Sequence, residues 1–69
     1  MEVISVLING APREFEQAIS VAALIQDMGL GGKRIALERN GEIVPRGRFE
    51  QQMLGDGDKL EIVVAVGGG

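Results

Sequence analysis

Cys, His, Trp and Tyr are all missing from this chain of 69 residues. Without Cys there is no disulfide, no thiol nucleophile and no thiolate metal site, and the chain has no need of an oxidising compartment. Without His the commonest general base, the commonest zinc ligand and every Ser-His triad are excluded. Phe15 and Phe49 are the only aromatic residues, so no base-stacking platform exists. Basic residues are also scarce. Seven Lys and Arg face ten Asp and Glu, a net charge of −3, which disfavours nucleic acid as a partner. No apolar run is longer than that from Ile62 to Val66, which is far too short to cross a bilayer. The opening Met1-Glu2-Val3 lacks the basic region of a signal peptide. The expectation is a cytoplasmic protein, monomeric when free, with no membrane partner.

What remains is enough for one small domain. A chain of this length buries only about 60% of the surface its unfolded form exposes, so a deep catalytic cleft is hard to build. An apolar fraction of 45% fits a globular fold rather than a disordered one.

The pattern predicts five strands and one main helix. Residues 2–8 are rich in Val and Ile, with Ile4, Val6 and Ile8 on one face. Asn9-Gly10 is a strong type I′ hairpin signal, and a second strand is expected at 12–16. Ser20 is a suitable N-cap. Val21, Leu24, Ile25 and Met28 follow at i, i+3, i+4, i+7, with Gly29 and Leu30 placed for a Schellman ending. The helix is predicted over 20–28. A strand at 34–39, an Asn40-Gly41 turn and a short strand Ile43-Val44 stopped by Pro45 come next. Residues 46–54 should form a turn of helix, with Phe49 and Met53 or Leu54 inward. Asp56-Gly57-Asp58 reads as a turn, because a calcium loop needs further oxygen ligands that are absent. The last strand is expected at 59–66, with Leu60, Ile62 and Val64 on one face. The first and last strands are the most apolar and should pair centrally and in parallel. The expected fold class is α+β, a mixed five-stranded sheet packed on one main helix, an order that resembles the ubiquitin-like β-grasp.

No acidic pair among Glu14, Glu16, Glu38, Glu42, Glu50 and Glu61 stands out as an acid–base dyad; these read as a solvated surface that could steer a basic partner. Three glycines, Gly67-Gly68-Gly69, follow the last strand. At the average Gly usage of ~7%, three in succession at one place is a ~0.03% event. Glycine has no side chain to clash in another protein's narrow site. The expected organisation is a domain at 1–66 with a flexible tail at 67–69, and the expected site is the carboxylate of Gly69. The outward residues of the last strand, Glu61, Val63 and Ala65, lead into that tail and are the expected partner surface, with Arg46 as a further contact.

The β-grasp order, the segment Asn40-Gly41-Glu42-Ile43-Val44-Pro45-Arg46, the Asp56-Gly57-Asp58 turn and the terminal Gly68-Gly69 together resemble the thiamine-biosynthesis sulfur carriers of the ThiS family. The likeness covers nearly the whole chain. Glu38 and Arg39 stand in a strand that is often more apolar in that family. The resemblance implies a carrier rather than an enzyme. An E1-like adenylyltransferase would use ATP to adenylate the carboxylate of Gly69. Sulfur from a donor such as a cysteine desulfurase would convert it to a thiocarboxylate, and thiazole synthase would take that sulfur. No cofactor is bound by the carrier itself. A carrier of the molybdopterin synthase small-subunit type, a ubiquitin-like modifier and a β-grasp binding module with an idle tail are the alternatives.

Overall fold

A type I′ turn joins the first two strands, Ile4–Ile8 (β1) and Ala11–Phe15 (β2), in a computed structural model that describes residues 3–65. Asn9 and Gly10 take φ values of 51° and 85°, as that turn requires. Ile4, Val6 and Ile8 all point into the core.

The helix, Val21–Asp27 (α1), is capped at both ends as its sequence predicts. The Ser20 hydroxyl accepts from the Ala23 N–H at 3.0 Å. Gly29 has a φ of 74°. The Leu30 N–H donates to the Ile25 carbonyl and the Gly29 N–H to the Gln26 carbonyl, which is the full Schellman pattern. Two first-turn donors, the N–H groups of Val21 and Ala22, reach the carbonyls of Gln52 and Phe49 at 2.8 Å each. They would otherwise be left unpaired at a helix start. The segment after the fourth strand therefore closes over the helix N-terminus.

Ile35–Arg39 (β3) and Glu42–Ile43 (β4) form the second hairpin through Asn40 and Gly41, at φ 52° and 87°. The short strand lies one residue earlier than expected. A two-residue turn sets Arg39 opposite Glu42 and Glu38 opposite Ile43, which leaves Val44 outside the ladder. Val44 still donates its N–H to the Leu37 carbonyl at 2.9 Å and buries its side chain. The helical turn expected over 46–54 shrinks to a single 3₁₀ turn, Arg46–Arg48. Phe49 and Leu54 enter the core and Met53 stays exposed.

The last strand, Lys59–Val64 (β5), loses Ala65 from its expected range, and Val66 lies outside the described residues. Leu60 and Ile62 are buried, whereas Val64 is exposed at the strand's end beside half-buried Ile35. The sheet order is β2-β1-β5-β3-β4. β1 and β5 are parallel and the other pairs antiparallel. The core lies between the sheet's inner face and α1, with Val6, Val21, Leu24, Leu37, Leu54 and Leu60 almost wholly buried. This mixed five-stranded sheet on one helix is a ubiquitin-like β-grasp.

Candidate functional site: the central strand and the segment it leads to

β5 has strands on both edges. The N–H of Leu7 donates to the Asp58 carbonyl and the N–H of Asn9 to the Leu60 carbonyl, both at 2.9 Å. On the other edge β3 runs antiparallel, from Arg39 opposite Leu60 to Ile35 opposite Val64. Beyond the strand, the Ala65 N–H still donates to the Arg34 carbonyl at 2.9 Å.

The two turn asparagines add side-chain rungs to this ladder. The Asn9 amide donates to the Ile62 carbonyl at 3.1 Å and accepts from the Ile62 N–H at 2.8 Å. The Asn40 amide oxygen accepts from the Lys59 N–H at 2.9 Å, while the Asn40 backbone N–H donates to the Lys59 carbonyl at 2.7 Å. Each turn thus uses its first residue twice, once for its positive φ and once for its side chain.

Asp58, immediately before β5, is the one buried charged residue among those described. Its carboxylate accepts from the Gly55 N–H at 2.8 Å, the Arg39 Nε at 2.9 Å and the Asn40 Nδ2 at 3.1 Å. Burial pushes its pKa up, but the Gly55 amide and the Arg39 and Asn40 side chains outweigh that and hold it below the ordinary aspartate value. Arg39, out of place in an apolar strand, is there as this carboxylate's partner.

On the outer face of the sheet, Val63 opposes Ala36, Glu61 opposes Glu38, and Glu38 in turn opposes Ile43. Val63 and Ile43 are each 64% exposed, so two large aliphatic side chains stand in water beside two carboxylates. Ala65 is exposed as well. Arg46 is exposed and makes no ion pair among the described residues. It lies in the 3₁₀ turn after β4, the edge strand, and so outside the sheet. The structure therefore brings Glu61 and Val63 onto one surface and sets Arg46 apart from them. Ile43 was legible in principle: with Val44 inward, strand alternation puts its neighbour outward. Gly67, Gly68 and Gly69 lie outside the described residues. Among the described residues, no three acidic side chains converge to hold a metal ion. No helix among them is long and apolar enough to cross a membrane.

A family model described as the ThiS family matches residues 6–69, a span that includes β5 and the three glycines. This chain belongs to the ThiS family. The likeness in structure is close: the crystal structure of the thiamine biosynthesis protein ThiS from Geobacter metallireducens superposes with a TM-score of 0.81 at 26% identity, covering 96% of this chain and all of that one. In sequence the chain is 46% identical over 63 residues to a thiazole synthase of Paramagnetospirillum magneticum. It spans 91% of its own length there but only 19% of that protein's. It is also 38% identical over 66 residues to an uncharacterized protein, ycf40, of Pyropia yezoensis, of which it covers 93%. ThiS-like sequence thus occurs both as a small protein and as a minor part of a much longer one.

Proposed function

We infer that this protein is a sulfur carrier in thiamine biosynthesis and that its reacting group is the carboxylate of Gly69. One observation carries this most directly. A protein named thiazole synthase contains a stretch 46% identical to nearly the whole of this chain. A carrier and the enzyme that consumes its sulfur have reason to share one polypeptide, because covalent linkage raises their effective concentration. The likeness to a thiamine biosynthesis protein over the full fold supports the same pathway.

The chemistry belongs to the partners. A carboxylate is a poor electrophile. An E1-like adenylyltransferase would let an oxygen of Gly69 attack the α-phosphate of ATP, forming an acyl-adenylate and releasing pyrophosphate. The outer sulfur of a persulfide on a donor such as a cysteine desulfurase would then attack the acyl carbon with AMP as leaving group, and a thiol would cleave the S–S bond of the acyl disulfide so formed, leaving the thiocarboxylate and a disulfide on the donor side. The resulting thiocarboxylate would hand its sulfur to thiazole synthase. The carrier's share is delivery. β5 holds the chain as far as Val64, and the glycines after it have no side chains to obstruct a narrow active site. The outer face, Glu61, Val63 and Ile43, is the surface that would dock, with Ala65 at its rim.

Incubation with the adenylyltransferase of its own host, ATP and a sulfur donor, followed by intact mass measurement, tests this. Replacement of one oxygen by sulfur should add about 16 Da by atomic mass, and removal of Gly69 should abolish the gain without unfolding the domain. An unchanged mass with an enzyme active on another carrier would refute the reading.

A further inference from the structure

We propose that Asn9 is a positioning residue for the tail, setting the point on β5 beyond which the chain is held from one side only. This rests on the sulfur-carrier reading, but its evidence is separate.

The backbone ladder between β1 and β5 is short. Its register runs only from Leu7 beside Lys59 to Ile8 beside Leu60, after which β1 turns back into β2. With backbone pairing alone, Leu60 would be the last residue of β5 held on both edges. The Asn9 side chain changes that. Its amide bonds both the N–H and the C=O of Ile62, standing in for the strand residue that the turn has removed. Alternation along the strand then directs the Val64 N–H and C=O to the same edge, where no described residue meets them. From Val63 onward β5 is held by β3 alone, through Ala36 and Ile35 and then by Arg34. Loss of the Asn9 amide would move this boundary back two residues, from Ile62 to Leu60, or about 7 Å at ~3.3 Å per residue. A longer single-sided segment lets Val63, Val64 and Ala65 take more orientations, and fewer of these direct the residues that follow into a partner's active site.

The molecule carries its own control. Asn40 occupies the same position in the other type I′ turn and also makes two side-chain bonds, but it grips β5 at Lys59, the end away from the tail. Glycine at either position keeps the positive φ and removes only the amide.

The experiment compares wild type, Asn9→Gly and Asn40→Gly as substrates of the host adenylyltransferase, following pyrophosphate release, with amide hydrogen exchange by NMR on each free protein. The conditions are chosen so that all three remain folded. In Asn9→Gly, exchange at Ile62 should rise at least tenfold, and kcat for adenylation should fall three- to tenfold while KM moves less than twofold. In Asn40→Gly, exchange at Lys59 should rise while Ile62 stays protected, with kcat within twofold of wild type. Equal kcat for wild type and Asn9→Gly, or equal losses in both variants, would overturn the positioning role and leave the carrier reading standing. A wild-type protein that releases no pyrophosphate would remove the carrier reading and this proposal together.

Discussion

Among the described residues, no side chain makes more hydrogen bonds than Asp58. Its carboxylate joins the end of the β3–β4 hairpin to the start of β5 through Arg39, Asn40 and Gly55. Hydrogen bonds to a charged group contribute about 1.5–3 kcal/mol each, and a buried donor left without a partner costs a similar amount. Asp58→Asn presents donors where donors already point, so it should cost about 2–3 kcal/mol in urea unfolding; a loss below 0.5 kcal/mol would contradict the role assigned to it. The pH dependence has a definite sign. The folded pKa lies below the ordinary value, so the unfolded chain binds more protons across the interval between the folded pKa and about 3.9. The contribution is fully present above that interval and is lost as pH falls through the folded pKa. Wild-type stability should decline below about pH 4 more steeply than that of Asp58→Asn. None of this network was legible in the sequence. Asp58 read as half of a turn and Arg39 as an oddity in a strand, because the two meet only when β3 and β5 pair, 19 residues apart along the chain. The amides of Asn9 and Asn40 escaped notice for the same reason. Turn chemistry is local and could be read, whereas the bond from Asn9 to Ile62 spans 53 residues.

Elements with a strong period or a defined cap were the legible ones. Ser20, the apolar stripe and Gly29-Leu30 define α1 to within a residue, because each acts over one turn of helix. The parallel pairing of β1 with β5 followed from their apolar content, since strands buried in the middle of a sheet need it. The short elements were harder. β4 shifted by one residue because the turn, not the Ile-Val pair, sets the ladder. The expected helix after Pro45 dwindled because Phe49, Gln52 and Leu54 are committed to contacts with the start of α1. The turns themselves allow a clean test. At Gly41, with φ 87°, an added Cβ meets no atom within 4 Å. Gly41→Ala should therefore cost only the left-handed backbone penalty, about 1–2 kcal/mol. A D-alanine at the same position, introduced by synthesis, should restore wild-type stability in thermal unfolding. If it does not, glycine is needed there for another reason.

At the scale of the whole molecule, the docking face proposed above lies apart from the core. The inner face of the sheet carries the core, and the outer face carries Val63 and Ile43 among Glu38 and Glu61. Exposed sites away from buried networks usually change stability by less than about 0.5 kcal/mol, while a central residue of an interface can cost 2 kcal/mol or more in binding. Val63→Asp should leave the urea midpoint almost unchanged and weaken binding to the host adenylyltransferase at least tenfold, as read by calorimetry. Unaltered affinity would move the docking surface elsewhere. Because the net charge is −3, added salt should slow association with a basic partner surface more than it speeds dissociation.

The central place of β5 also bears on how the protein is made. β1 emerges from the ribosome well before β5, and its inner edge finds its partner only when Lys59 and Leu60 arrive, about fifty residues later. Contacts this distant in sequence form late, and until they do, Val6, Leu24 and Leu37 have no complete core to enter. The residues that follow β5 are synthesised directly after it. A chain whose translation stops short of β5 lacks both the strand that closes the fold and the glycines beyond it. Arrival of those glycines thus certifies that every strand of the fold has already been made.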